Sequence, residues 1–456
     1  MGKRLSQLDA AFLRMESAAA PMHVGCLMTF KLPPKVPRRY FAEMVEHLRN
    51  EPFMPEPFGC KLAKGRRAGL APAWEPAEAD MEYHLRHSAL PKPGGERELG
   101  TLVARLHSHP MDFRRPLWEC HVIEGLENRR FAMYFKAHHC AIDGMGAMRM
   151  TKQWLTEDPE DMRWPGQGIA PAQGLKLRPS LSRQLGKVLR DAGGHARGIG
   201  ELASKLLEMS RGEGSTVRAS METPKTIFNL PVTQQRRLGT QLLALERFKV
   251  LSRKLQVTVN DVTLAVCAGA VRRYLEEAGQ LPAKTLNASV PIGLPRSGDG
   301  GGNAVAGFVC PLATDEPDPI KRVRLINTTT TRSKQELMSM SGPALEQFTL
   351  MGLAPLLAGQ MTGTLTKLPP LFNFVVSNVV LTKNKLYLRG AELEAMYPMS
   401  ILFDGYALNV TVIGYAEHVC IGFTGCRDAI PHLQKLAVYA GEALDGLEQA
   451  AGVGSE

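Results

Sequence analysis

The chain has 456 residues, more than one ordinary core holds, so at usual domain sizes at least two domains are predicted. Hydrophobic residues make up 44%, enough for sizeable cores, and a formal charge of +10 suits an anionic partner: nucleic acid, an acidic lipid surface or a phosphorylated small molecule. No zinc-ribbon spacing, RNA-recognition aromatic signature or Walker loop occurs, which sets nucleic acid aside, and the eight cysteines form no CxxC pair, which argues for reduced thiols without disulfides or structural zinc.

The opening Met1-Gly2-Lys3-Arg4-Leu5-Ser6 lacks the apolar core of a secretory signal, and no apolar run reaches the length of a membrane span. A cytoplasmic protein is expected. From Leu5 to Trp164 helical and strand-like segments alternate, including a hairpin in which His121-Val122-Ile123 and Phe131 to Ala137 flank a turn at Gly125 to Asn128. In its second arm Phe131, Met133 and Phe135 alternate as on a half-buried strand. His138 and His139 then face opposite ways, His139 continuing the parity of Phe135 and Ala137, His138 that of Tyr134 and Lys136. Asp143-Gly144-Met145-Gly146 comes next, then Ala147, Met148, Thr151, Trp154 and Leu155 at helical spacing, which places Asp143 to cap a helix and Gly144 in the turn before it. Two histidines, an acid and a glycine at a strand-to-helix break suit proton transfer, with His139 as the working residue. His139 and Asp143 are also spaced like two metal ligands, but the break would separate them, and no metal is expected.

Between Pro165 and Thr226 the composition turns to Gly, Pro, Ser, Lys and Arg, so 165–226 is predicted to link a first domain, 1–164, to a second, 227–456. Within the linker Leu181, Leu185, Val188 and Leu189 recur beside Arg183, Lys187 and Arg190 as a basic amphipathic helix, suited to packing across the domains or to an anionic lipid surface. Asn260-Asp261 then opens a helix through Leu264, Val266, Ala268, Val271 and Leu275, and Leu286 to Ile292 reads as a strand. Gly298 to Asn303 has no Lys-Ser/Thr after it, so it is expected to be a flexible loop and not a phosphate cradle. Phe372 to Val380, Ala407 to Tyr415 and Val419 to Thr424 alternate like neighbours in one sheet, closed by a helix from His432 to Leu447.

The heptad His138-His139-Cys140-Ala141-Ile142-Asp143-Gly144 is an HHxxxDG pattern, and there the chain resembles the CoA-dependent acyltransferases of chloramphenicol-acetyltransferase type, which include peptide-synthetase condensation domains. Further segments sharpen the likeness: Leu5-Ser6-Gln7-Leu8-Asp9 with Pro21-Met22-His23-Val24-Gly25, Pro116-Leu117-Trp118-Glu119, Asn260-Asp261, Val290-Pro291, Ser377-Asn378-Val379 and Met396-Tyr397-Pro398. Together these resemble the bacterial wax ester synthase/acyl-CoA:diacylglycerol acyltransferase family along essentially the whole chain.

The resemblance implies an α/β fold of two chloramphenicol-acetyltransferase-like domains with mixed sheets, joined by a helical linker, with an active-site tunnel at their junction. It implies transfer of a long-chain fatty acyl group from acyl-CoA, a co-substrate, to a fatty alcohol or diacylglycerol, with no bound cofactor and no covalent acyl-enzyme. His139 would be the general base, His138 a structural or orienting residue, and Asp143 structural, either as a cap or by pairing with Arg296. The family's arginine, however, would align with Pro295. Asn260 and Asn378 are candidates for oxyanion stabilisation or positioning, with a helix cap and a strand-end turn as their plainer roles. The sequence also departs at Val380-Leu381-Thr382, where the family commonly has Pro-Gly-Pro. Pro116, Leu117 and Trp118 are expected to pack the domain. Contact with a membrane or lipid-droplet surface is expected. The alternatives are a condensation-type enzyme acting on carrier-bound thioesters and a non-catalytic lipid-surface protein of the same fold.

Overall fold

The computed structural model describes residues 3–5, 7–52, 55–63, 72–165, 216–294, 304–340 and 342–453. The chain divides into two compact units: Met1–Gly186 with Gln234–Arg236 and Val380–Ile401, and Lys187–Thr233 with Arg237–Val379 and Leu402–Glu456.

The first unit runs β1 (Lys3–Arg4), α1 (Gln7–Met15), β2 (His23–Lys31), α2 (Tyr40–Asn50), β3 (Cys60–Leu62), β4 (Ala73–Pro76), α3 (Met81–His84), β5 (Leu85–Ala89), α4 (Glu96–Ser108), β6 (Trp118–Leu126), β7 (Arg130–His138) and α5 (Gly144–Trp154). The second holds α6 (Thr216–Met221), α7 (Leu245–Leu255), α8 (Val259–Glu277), β9 (Asn287–Leu294), β10 (Ala304–Pro311), α9 (Pro319–Ser339) and α10 (Gly342–Thr362), together with most of β8 (Arg236–Ala244) and β11 (Phe374–Thr382). After the short pair β12 (Tyr387–Leu388) and β13 (Ala391–Met399), which belongs to the first unit, it closes with β14 (Leu408–Tyr415), β15 (His418–Cys426) and α11 (Lys435–Ala450).

Each unit is built on a mixed six-stranded sheet. In the first the order is β12-β13-β2-β7-β6-β5, with β5 parallel to β6 and the other pairs antiparallel. In the second it is β10-β9-β11-β14-β15-β8, with β9 parallel to β11 and antiparallel to β10. The strands expected near 372–380, 407–415 and 419–424 are neighbours there as β11, β14 and β15. The fold is thus mixed α/β in two domains.

The expected second domain, 227–456, is interrupted. Val380–Ile401 joins the first unit because β13 pairs with β2, setting Met396 against Met28, Tyr397 against Leu27 and Pro398 against Cys26, and buries Leu393, Ala395 and Met399. The end of the expected linker is not a spacer either: Asn287 Nδ2 donates to the Ala219 carbonyl at 2.7 Å, and Thr223 Oγ1 to the Leu371 carbonyl at 3.1 Å, which ties α6 into the second unit. The basic stretch from Leu181 to Leu189 and the glycine-rich loop Gly298 to Asn303 lie outside the described residues.

One face of the first sheet carries a buried polar layer. Lys136 is fully buried, and its Nζ lies 3.2 Å from Glu119 Oε2 and donates to the carbonyls of Leu106 and His109 at 3.1 Å each. Those carbonyls close the C-terminal end of α4, where the helix dipole favours a cation. Burial opposes ionisation of Glu119, yet His121 and Lys136 outweigh it and hold its carboxyl down to about 2. Beside the pair, Tyr134 Oη bonds His107 Nδ1 at 2.7 Å, and His23 Nε2 donates to the His107 carbonyl at 2.6 Å. Gly25 leaves room for this: a Cβ there would sit 2.8 Å from the Tyr134 ring and hydroxyl. Trp118 is buried as expected, its indole donating to the Phe58 carbonyl at 3.0 Å and stacking on His84 at 4.5 Å.

Lys136→Met would strand a buried carboxylate, and removing one member of such a pair costs roughly 3–5 kcal/mol. Urea unfolding at neutral pH should show that loss, and adding Glu119→Gln should recover part of it. A double variant as unstable as Lys136→Met alone would show that the charge pairing is not the source.

Candidate active site

The end of β7 is fixed from both sides. His138 N–H donates to the Leu117 carbonyl at 3.0 Å and His139 N–H to the Met22 carbonyl at 2.8 Å, so neighbouring segments hold consecutive amides. Ala141 N–H then closes a turn onto the His138 carbonyl at 2.9 Å. Asp143, extended at φ −102° and ψ 172°, caps α5 by accepting from Gly146 N–H at 2.6 Å. The strand, break and capped helix therefore lie as expected.

Gly144 has a different role from the expected one. It is the first residue of α5, without a left-handed φ, and a Cβ added there would meet nothing within 4 Å. The confined glycine is Gly146, where a Cβ would stand 3.0 Å from Asp143 Oδ1 and 3.2 Å from Ile142 Cγ1. Glycine is needed where the cap closes, not where the helix starts.

The two imidazoles have unlike surroundings. The His138 ring is buried, pairs in register with His23, and meets the Phe113 ring edge-on at 5.5 Å. Its Nδ1 accepts from Cys140 N–H at 3.1 Å, so in the neutral ring the proton belongs on Nε2, which lies 3.4 Å from Glu16 Oε2. The same carboxylate oxygen accepts from Met22 N–H. His139 is half-buried, stacks on Phe12 at 4.1 Å with 21° between the rings, and its Nδ1 makes no hydrogen bond to another described residue. Burial pushes the His139 pKa down to about 4; the neighbouring His138 adds to this and the Asp143 charge works against it. His139 is thus a neutral imidazole near pH 7, able to accept a proton.

Sequence reasoning missed Phe12 and Glu16. The available signal was their spacing, four residues apart on one side of a helical segment that leads into Pro21-Met22-His23. Asp143 is exposed and engaged as a cap, and Arg296, its expected partner, lies outside the described residues.

Asn260 and Asn378, in the second unit, are brought together: Asn378 Nδ2 donates to Asn260 Oδ1 at 3.2 Å. Neither has the plainer role considered for it. The cap of α8 is Thr258, with Asp261 completing a capping box, so Asn260 sits inside the first turn; Asn378 lies within β11, which runs on through Val380 and Leu381 to Thr382. Asp261 is a buried hub that accepts from Thr330 Oγ1 at 2.6 Å, Thr258 Oγ1 at 2.7 Å and Asn327 Nδ2 at 2.8 Å. Burial works against its charge, but these bonds outweigh it and hold the carboxyl below its ordinary range. The Asn pair consumes the Asn260 oxygen and leaves its NH₂ as a donor.

Among the described residues, no group of three or more His, Cys, Asp or Glu is placed to hold a metal ion, and no helix is long and apolar enough to cross a membrane.

The cap can be tested by stability alone. Asp143→Ala should cost about 1 kcal/mol, as for other lost N-caps. In thermal unfolding Gly146→Ala should match that loss, whereas Gly144→Ala should stay within about 0.5 kcal/mol of the parent. Equal losses at the two glycines would contradict the assigned roles.

The chain matches two family models, the wax ester synthase/diacylglycerol acyltransferase catalytic domain over residues 5–263 and the corresponding C-terminal domain over 301–448. It is 49% identical over 449 residues to a Mycobacterium tuberculosis protein named as a diacylglycerol O-acyltransferase, covering 98% of this chain and 99% of that one. It is 34% identical to the O-acyltransferase WSD of Acinetobacter baylyi, over 97% of this chain and 96% of the other. Among solved structures, the wax ester synthase/diacylglycerol acyltransferase from Marinobacter aquaeolei VT8 superposes with a TM-score of 0.79 at 35% identity, covering 99% of this chain and all (100%) of that one. The first condensation domain of the calcium-dependent antibiotic synthetase shares the fold alone, at a TM-score of 0.61 and 16% identity over 100% of this chain and 97% of the other. With both family models matched in order and relatives alike from end to end, the chain belongs to the wax ester synthase/diacylglycerol acyltransferase family and is an acyltransferase.

Proposed function

We propose that the protein transfers a long-chain fatty acyl group from acyl-CoA to a hydrophobic alcohol, giving a wax ester from a fatty alcohol and triacylglycerol from diacylglycerol. The observation that carries this reading is the state of His139: an imidazole kept neutral by burial, at the end of a strand pinned on both sides, with the Phe12 ring against it. An alcohol is too weak an acid for imidazole to deprotonate outright, so His139 takes the proton as the hydroxyl oxygen attacks the thioester carbonyl. The oxygen–carbon bond forms, the carbon–sulfur bond breaks, and the imidazolium returns the proton to the departing thiolate. No acyl-enzyme and no bound cofactor enters this scheme. His138, whose Nδ1 accepts from Cys140 N–H, orients the turn. The acceptor named for the Mycobacterium tuberculosis relative, diacylglycerol, supports the second product.

Both acceptors are lipids, so the reading places the protein in the cytoplasm at the surface of a membrane or lipid droplet, where a charge of +10 suits anionic headgroups.

The purified protein should form ester from labelled palmitoyl-CoA with hexadecanol and with diacylglycerol. His139→Ala should lower kcat by about 10²–10⁴, the usual contribution of a positioned base. Activity that survives this change would overturn the reading. The pH dependence has a definite sign: the imidazole is lost as a base only when protonated, so the acid limb of kcat/KM should lie near 4, well below the ordinary histidine value of 6.5. Titrating kcat/KM from pH 4 to 8 checks it, and a limb at about 6.5 would assign the base to a solvated histidine.

A further inference from the structure

α1 and the residue that follows it lie against both histidines of the motif. Phe12 stacks on the His139 ring, and Glu16, one helical turn further along, faces the His138 ring. A single oxygen of Glu16 lies against two groups: Oε2 accepts from Met22 N–H and stands 3.4 Å from His138 Nε2, which makes no hydrogen bond among the described residues. Each partner leads on to the base. Met22 offers its carbonyl to His139 N–H at 2.8 Å, and His138 offers Nδ1 to Cys140 N–H at 3.1 Å. The peptide group before the His139 side chain is therefore held from the carboxylate through backbone, and the one after it is held by the ring that faces the same carboxylate. The Glu16 side chain is 16% exposed, and the His138 side chain 1%, so water has little access to replace either contact.

An ionised carboxylate only accepts hydrogen bonds. The Cys140 amide takes the Nδ1 lone pair, so the hydrogen of the neutral His138 ring stands on Nε2, the nitrogen that faces Glu16 at 3.4 Å without a hydrogen bond of its own. The choice of tautomer and the shape of the turn are one event. With an apolar residue at position 16, the His138 proton is free to move to Nδ1, where it would meet the Cys140 N–H head-on and push that peptide away.

We propose that Glu16 is a positioning residue for the acyl-transfer reaction: by holding the amide of Met22 and facing the Nε2 edge of His138, it sets the placement of the His139 imidazole. The assignment rests on the proposed role of His139 as the base. Glu16 touches no reacting atom and acts through its two neighbours. Its effect belongs in turnover and not in substrate affinity, since a small misplacement of a reacting group costs up to about 10²-fold in rate. A glutamine retains an acceptor oxygen, so it should serve both contacts without the charge.

Three measurements test the proposal. In the unaltered protein labelled with ¹⁵N-histidine, the His138 resonances, assigned by their loss in His138→Asn, should show a protonated Nε2 and a bare Nδ1. The opposite tautomer would overturn it. In kinetics, Glu16→Ala should lower kcat tenfold to a hundredfold, with the KM values for palmitoyl-CoA and hexadecanol changed less than about twofold, and Glu16→Gln should recover at least a third of the wild-type kcat. A Glu16→Ala protein that keeps its kcat would refute it, as would a loss wholly accounted for by the unfolded fraction seen in circular dichroism. Should Glu16→Ala fail to fold, the tautomer in the parent and the kcat of Glu16→Gln decide: a neutral His138 with hydrogen on Nδ1, or a glutamine variant as inactive as His139→Ala, refutes the proposal. If instead His139→Ala remains fully active, the reading of His139 as base falls, while the tautomer spectrum still reports whether Glu16 holds His138.

Discussion

A buried ammonium beside a buried carboxylate governs the architecture of the first unit. Lys136 and Glu119 sit on adjacent strands, β7 and β6, and neither charge could persist in that interior without the other and without the carbonyls that end α4. Satisfying the pair places the end of α4 over the middle of the sheet and thereby fixes its last residue, Ser108, whose hydroxyl accepts from Arg236 N–H at 2.8 Å and whose carbonyl accepts from Gln234 Nε2 at 3.0 Å. Two residues along β7 from the ammonium comes His138. The histidine motif is thus anchored at the strand by charge and at its tip by hydrogen bonds, an arrangement in which the turn has few ways to relax.

Local chemistry made much of the motif readable in advance. Alternation from Phe131 to Phe135 gave a strand, Asp143 before an apolar helical period gave a cap, and the structure has both. Interactions across long sequence separations were not readable. Glu16 and Phe12 reach the histidines only through tertiary folding, and the Asn260–Asn378 bond joins residues 118 apart. Alternation in Ala391-Glu392-Leu393-Glu394-Ala395 marks a strand without naming its partner, so its place beside β2 could not be foreseen. Gly144 and Gly146 show the same limit on a finer scale, because the need for glycine depends on which Cβ would collide with the cap.

Family membership and site geometry answer different questions. The matched models and relatives establish an acyltransferase, while the arrangement around His139 keeps its ring neutral near pH 7, with no hydrogen bond from Nδ1 to another described residue. Burial supplies the neutral ring at the cost of solvation, and the surrounding bonds supply orientation. The unlike surroundings of the adjacent histidines come from strand parity: one ring turns into the polar layer, and the next leaves the ladder and lies against Phe12.

The insertion of β13 beside β2 also has a bearing on synthesis. Because β13 arrives so late in the chain, the ribosome must release nearly the whole protein before β2 gains its outer neighbour. Until then the nascent first sheet presents β2 as an open edge, with backbone groups able to pair with other chains. The strand that opens with His23 gains its outer neighbour only from a segment made after α6 to α10 of the second unit.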